Sequence, residues 1–155
     1  MEFVSKEDIN ASVEEVFAVL SDFDTVERQA LRRGADVRRT TPHRNPEPGM
    51  GWSAEFKFRG RKRRSDITLS EFDPPNRMVF DSVTGGLETR LIVDLMQLSK
   101  AHTRVTTHAV MTPKTLSARL LVQSMKLAKS KINRKFAVRM AQVARDVEER
   151  AARLA

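Results

Sequence analysis

The chain has 155 residues, no cysteine, and a formal net charge of +8 from 28 basic and 20 acidic residues. This length predicts one domain over residues 1–155, and the lack of cysteine excludes disulfides, thiolate metal ligands and a cysteine nucleophile. No run approaches the ~20 apolar residues of a membrane span, and the N-terminus lacks the basic-then-apolar pattern of a signal peptide. We therefore predict a cytoplasmic protein.

The first segment predicts a strand followed by two short helices. Residues 2–10 fit a strand. Ser12 and Glu15 form a capping-box pattern ahead of an apolar helical face. Residues 24–27 resemble a second capping box, and Gly34 suits the left-handed position just past a helix end.

The middle of the chain predicts six consecutive strands at residues 37–41, 52–59, 62–72, 77–83, 88–98 and 103–110. Three prolines and two glycines separate the first two strands, and Arg59-Gly60 fits a two-residue hairpin turn. Pro74-Pro75 should end the third strand of this series, because proline cannot donate to a central ladder.

The last segment predicts one long amphipathic helix over residues 113–154, with Thr112 and Pro113 as N-cap and first helical residue. Such a helix would be about 63 Å long, so it should overhang the sheet or break near Ser130. Its apolar stripe recurs every three or four residues. The stripe consists of Leu121, Met125, Ala128, Ile132, Phe136, Met140, Val143, Val147, Ala151 and Leu154.

Four segments in this order carry a family resemblance: residues 9–23, 48–51, 72–80 and 103–106. Together with the order of elements they resemble the START/Bet v 1-like superfamily, specifically its bacterial polyketide cyclase/dehydrase-like (SRPBCC) branch. The resemblance implies an α+β helix-grip fold. In that fold a curved antiparallel sheet of six to seven strands wraps around a long C-terminal helix, and two short helices follow the first strand.

The chain departs from the family pattern at two places. Many members carry a tryptophan in the second helix, where this chain has residues 26–29 without one, and the glycine-rich loop of the plant members is absent. The family implies a cavity between sheet and helix that holds a lipid, polyketide or aromatic metabolite. These departures leave the ligand open.

The candidate lining residues are the apolar residues of the predicted inner sheet face and of the helix stripe. They are Trp52, Phe56, Phe58, Ile67, Leu69, Phe80, Leu91, Val93 and Val105 on the sheet, and Met125, Ile132, Phe136 and Met140 on the helix. Arg63 and Ser65 are in phase with Ile67 and could supply polar groups at the cavity mouth. The same apolar pattern also fits a filled core, and strand parity does not distinguish the two.

The sequence offers no catalytic motif. His43, His102 and His108 lack metal-ligand spacing, and nucleophile-elbow and phosphate-loop patterns are absent, so we predict neither metal nor cofactor. Asp81 and Asp94 share parity with apolar neighbours, but an outward orientation is the simpler interpretation. If the protein is an enzyme, we expect polyketide cyclase/dehydrase-like acid–base chemistry.

The positive charge supports a second class of function, a non-enzymatic interaction protein that uses its basic surface. An anionic membrane is one partner for such a surface, a protein another. Nucleic acid is a poorer fit, because aromatic residues make up only 6% of the chain and base stacking needs exposed aromatics. An overhanging C-terminal helix would also allow a homodimer.

Overall fold

A computed structural model describes residues 1–154 and contains one seven-stranded antiparallel sheet with four helices. The strand order is β1-β7-β6-β5-β4-β3-β2. The strands are β1 (Glu2–Ile9), β2 (Asp36–Arg39), β3 (Gly51–Phe58), β4 (Arg61–Asp73), β5 (Arg77–Thr84), β6 (Leu87–Ser99) and β7 (His102–Pro113). The helices are α1 (Val13–Leu20), α2 (Phe23–Arg32), α3 (Leu116–Leu127) and α4 (Lys129–Leu154).

Local sequence signals set the ends of the two short helices. The capping box before α1 is confirmed: the Ser12 hydroxyl accepts from the Glu15 backbone N–H at 3.2 Å and donates to the Glu15 carboxylate at 2.7 Å. The predicted α2 start at residue 24 is wrong. Asp22 caps α2 instead, by accepting from the Thr25 backbone N–H at 3.4 Å. Gly34 has φ of 92°, as its predicted position requires.

The six strands predicted between residues 37 and 110 are confirmed, with ends that shift by at most three residues. Arg59 and Gly60 both have positive φ, 50° and 77°, and form the β3–β4 turn. A β-bulge lies between Leu69 and Glu71, where β4 changes its register against β5.

The C-terminal segment differs from the prediction at its start. Thr112 and Pro113 do not begin a helix: they pair with Glu88 and Leu87 and extend β7. Thr115 caps α3 by accepting from the Ala118 backbone N–H at 3.2 Å. The helical segment then breaks at Ala128, two residues before the expected position, which separates α3 from α4.

The elements form the helix-grip fold expected from the resemblance. The helix α4 packs against β1 and α1, and α2 packs against β2. The main core joins α1 and the end of α4 to the sheet through residues such as Val16, Leu69 and Val147. A second cluster joins α3 and the start of α4 to the other end of the sheet. None of the four helices described has both the length and the apolar character needed to cross a bilayer.

Candidate functional site

The side of the sheet that faces the helices is defined here as the inner face, and strand alternation decides which residues occupy it. Trp52 and Phe80 belong to it: their ring centroids are 6.1 Å apart, and both rings contact Phe23 of α2. Phe58 and Leu91 also belong to it, because they pack against the second cluster, whose buried members include Met125. These four residues of β3, β5 and β6 therefore point toward the helices.

Part of the inner face is filled. Leu69 is 0% exposed, Met125 is 1% exposed, and Trp52 is 4% exposed. Val93 and Val105, at 9% and 8%, are also buried in the main cluster. These five of the predicted lining residues are packed side chains in this conformation.

The remaining eight predicted lining residues are only half-buried, although Ile67, Phe80 and Leu91 among them pair with a neighbouring strand on both sides. An inward-facing residue at such a position is normally covered, as Leu69 and Met78 are. These side chains are therefore only partly covered by the helices. This set, which we call the open section, consists of Phe56, Phe58, Ile67, Phe80, Leu91, Ile132, Phe136 and Met140.

The polar groups of the inner face are few. Arg63 is half-buried, and its guanidinium Nε donates to the Phe58 carbonyl at 3.1 Å. The Cζ atom of the same guanidinium lies 5.9 Å from the centroid of the Phe58 ring. No carboxylate of residues 1–154 lies within 4.0 Å of it. Ser65, on the same strand, is 5% exposed. Arg63 is thus an inward-facing cation without an acidic partner in the described chain.

Two further polar residues, which are not among the predicted site residues, lie on the inner face of β1. Ser5 is 9% exposed and its hydroxyl oxygen has no hydrogen-bond partner among the described residues. Glu7 is half-buried in the same phase. The alternation of Phe3 with Ile9 was the signal that places both residues inward. Both residues are therefore polar groups of the inner face beside α4.

A polar cluster closes the β2 end of the inner face. One Glu27 carboxylate oxygen accepts from the Arg39 guanidinium at 2.7 Å and from the Trp52 indole N–H at 2.8 Å. Asp24 also bonds Arg39. The hydrogen bond with Glu27 is the main cause that raises the pKa of Arg39 above its ordinary value. This cluster fixes α2 to β2 and β3 and orients the Trp52 ring.

The outer face carries ion pairs between neighbouring strands. Arg90 bonds Asp81 at 3.0 Å, and Arg77 bonds Asp94 at 3.0 Å and Glu71 at 3.0 Å. The hydrogen bond from Arg90 lowers the pKa of Asp81 below its ordinary value. Asp81 and Asp94 therefore face away from the helices, in agreement with the simpler interpretation of the sequence.

The pKa shifts in the described chain give no sign of a poised acid or base. Besides Asp81, hydrogen bonds from Arg104 and Thr25 lower the pKa values of Asp8 and Asp22, and carboxylate partners raise those of Arg77, Arg90 and Arg104. Each shift favours the charged form, whereas a general acid or base near neutral pH needs the opposite. Within residues 1–154, no three histidine or acidic side chains are grouped to hold a metal ion.

Two depressions occur on the molecular surface outside the inner face. One, of about 500 Å³, lies over the outer side of β5–β7 beside Asp81 and Arg90. The other, of about 370 Å³, lies along the loop at residues 42–47. Neither involves α4, and neither brings together groups with a recognisable chemistry.

The chain resembles known proteins in both sequence and fold. The model of the family "Polyketide cyclase / dehydrase and lipid transport" matches residues 1–154. No curated protein matches the sequence. A structure of a protein from Thermus thermophilus aligns with a TM-score of 0.70 at 17% identity, covering 100% of this chain and 99% of that one.

Two solved enzymes share the fold. The Zhui aromatase/cyclase from a Streptomyces species aligns with a TM-score of 0.66 at 12% identity, covering 99% of this chain and 94% of its own. The norcoclaurine synthase from Thalictrum flavum, solved with dopamine and hydroxybenzaldehyde, aligns with a TM-score of 0.62 at 12% identity, covering 81% of this chain and 76% of its own. At these identities the similarity shows the fold alone.

Proposed function

The chain belongs to the polyketide cyclase/dehydrase and lipid transport family, and from that premise we propose that it binds an amphipathic small molecule between its sheet and α4. The observation that carries the proposal is the residual exposure of the open section on the inner face of the sheet. In a filled core these aromatic and aliphatic side chains would be fully covered. An apolar ligand body would cover them and be stabilised by about 25 cal/mol per Å² of apolar surface removed from water.

The ligand contacts divide between two sides. Phe56, Phe80 and Leu91 would contact it from the sheet, and Phe136 and Met140 from α4. Methionine and phenylalanine suit this task, because Met adapts its shape and aromatic rings bury a large apolar area. The packed residues would form the second layer that supports the open section. They are Trp52, Leu69, Val93, Val105 and Met125.

One end of the ligand would carry a negative or strongly polar group. Arg63 presents a guanidinium with no acidic partner in the described chain, and its pose over Phe58 holds it beside the apolar surface. A carboxylate or phosphate would pair with it through charge-assisted hydrogen bonds. Ser65 lies two residues along the same inward phase of β4 and could bond the same group.

Native mass spectrometry of protein purified from its own host tests whether a molecule is bound. Calorimetric titration with dodecanoate then tests the chemistry, since this ligand combines an apolar chain with one carboxylate. We expect Leu91→Trp, which fills the open section, to abolish dodecanoate binding while preserving the thermal midpoint. Val4→Trp is the control, because Val4 is 55% exposed on the outer side of β1.

A second pair of variants tests the polar end. Arg63→Ala should weaken dodecanoate binding about tenfold, the loss expected of one charge-assisted pair. Arg61→Ala removes an equal charge from an exposed neighbour and should leave binding unchanged. Dodecanoate binding that survives Leu91→Trp, together with protein that carries no organic molecule from its host, would refute the proposal.

A further inference from the structure

The helix α3 is apolar on two opposite sides. Its inner side, with Ala118, Val122 and Met125, is buried against the protein. Its other side exposes leucines: Leu116 is 72%, Leu120 58% and Leu127 93% exposed. These three leucines recur at intervals of four and seven residues and so share one helical face. Three large apolar side chains on one exposed face form an apolar patch, which distinguishes them from the single exposed apolar residues common on protein surfaces.

The helices α3 and α4 are rich in basic residues on either side of Leu127. Between Asp94 and Asp146 the sequence contains no aspartate or glutamate. Lys126, Lys129 and Lys131 flank Leu127 at the α3–α4 break, and all three are exposed. None of the exposed cations on the two helices has a carboxylate within 4.0 Å among residues 1–154. Besides the three lysines, these cations are Arg119, Arg134, Lys135, Arg139, Arg145 and Arg153.

The β3–β4 hairpin adds to this surface. Phe58 packs against the same cluster as Leu121, Ile132 and Phe136, which brings the hairpin beside the α3–α4 break. Three exposed cations on the hairpin have no carboxylate of the described chain within 4.0 Å. They are Lys57, Arg59 and Arg61. The exposed leucines of α3 are therefore accompanied by unpaired cations on α3, on α4 and on the neighbouring hairpin.

We propose that α3 and the α3–α4 break dock onto an anionic lipid membrane. Leu116, Leu120 and Leu127 insert among the lipid chains, and the lysines that follow contact the anionic headgroups. An apolar face bordered by Lys and Arg is the pattern of a helix that lies in the membrane interface. Each basic side chain near an anionic leaflet strengthens binding. The absence of acidic residues from α3 and the first half of α4 favours binding as well, because no carboxylate there repels the headgroups.

The charge distribution disfavours two other partners for this face, a second copy of the chain and a nucleic acid. A two-fold dimer through α3 would cover the leucines but would bring no carboxylate to the lysines, because α3 contains no aspartate or glutamate. Nucleic acid would satisfy the cations but would leave three leucines facing phosphate and water. An anionic membrane satisfies the cations and the leucines together.

Flotation of the wild-type protein with vesicles tests this proposal, and no bound small molecule is required. We expect binding to a mixture of phosphatidylcholine and phosphatidylglycerol, little binding to phosphatidylcholine alone, and release by salt. The triple variant K126A/K129A/K131A should weaken binding on the order of 100-fold. Its control, K6A/R44A/K100A, removes the same charge from exposed positions elsewhere and should weaken binding far less.

The leucines have their own control. L120S/L127S should reduce vesicle binding about tenfold or more, because both side chains lose their insertion energy. L31S/L98S changes leucines that are 61% and 44% exposed on other surfaces and should leave binding intact. Equal binding to neutral and anionic vesicles, full binding by L120S/L127S, or binding to DNA without binding to vesicles would overturn the proposal.

Discussion

Comparing the stability loss of Leu→Ala variants at two inner-face positions tests how tightly the interior is packed around each. Leu69 on β4 is 0% exposed in the main core, whereas Leu91 on β6 is half-buried in the open section. The change Leu→Ala removes the same carbon atoms at both positions. Any difference between the two variants therefore reports the surroundings and not the chemistry of the substitution.

The structure sets the expected magnitudes. At Leu69 the lost transfer free energy is about 2.4 kcal/mol, at roughly 0.8 kcal/mol per buried carbon. A cavity left in packed surroundings adds to this, so Leu69→Ala should lower the free energy of unfolding by about 3–4 kcal/mol. Leu91 is already partly in contact with solvent and its removal leaves no new closed void. We expect Leu91→Ala to lower the free energy of unfolding by about 1–2 kcal/mol.

Urea unfolding followed by far-ultraviolet circular dichroism measures both values. Both variants should keep the wild-type slope against urea, which shows that the unfolding transition itself is unchanged. Equal losses of about 3–4 kcal/mol for the two variants would refute the reasoning, because Leu91 would then lie in a filled core.

Three further variants test other features. Glu27→Ala removes the acceptor shared by Arg39 and Trp52 and should cost about 2 kcal/mol in urea unfolding, with a smaller loss for Glu27→Gln. Asp81→Asn should lower the thermal midpoint at neutral pH. Because the folded pKa of Asp81 lies below its unfolded value, the benefit exists above about pH 4 and is lost as pH falls through the folded pKa. The variant and the wild type should therefore converge in acid, and a constant difference at all pH values would contradict this. Gly86→Ala places a Cβ closer to the Thr115 side chain than the two groups can approach. It should therefore displace the α3 N-cap and lower the free energy of unfolding by at least about 1 kcal/mol. An unchanged urea midpoint would show that the loop adapts.

Local signals were enough to predict most of the fold. Apolar alternation placed the strands, and the Ser12–Glu15 pair placed α1. The error at Thr112-Pro113 arose because a good helix-start pattern competed with pairing to β6, and the ladder prevailed. The error at the start of α2 has a local cause: Asp22 and Asp24 both suit an N-cap, but only Asp22 bonds the Thr25 backbone.

The site was less predictable than the fold. Parity placed Phe56, Leu69 and Leu91 on one face, but it could not distinguish the filled part from the open part, because that depends on where α4 lies. The length of the helical segment predicted a break near Ser130, but no local signal marks Ala128, since alanine favours helix. The exposed apolar face of α3 was not predicted, because the apolar stripe on the opposite side of the helix already matched the pattern of an amphipathic helix.

Trp52 is the only tryptophan, and the chain has no tyrosine. Its indole is held between Phe23 and Phe80, with its N–H bonded to Glu27. Tryptophan emission from this protein therefore comes from a single site, at the junction of α2 with the inner face. A molecule that approaches Phe80 would change the quenching or polarity around that indole. The fluorescence of Trp52 therefore reports binding at the inner face without an added label.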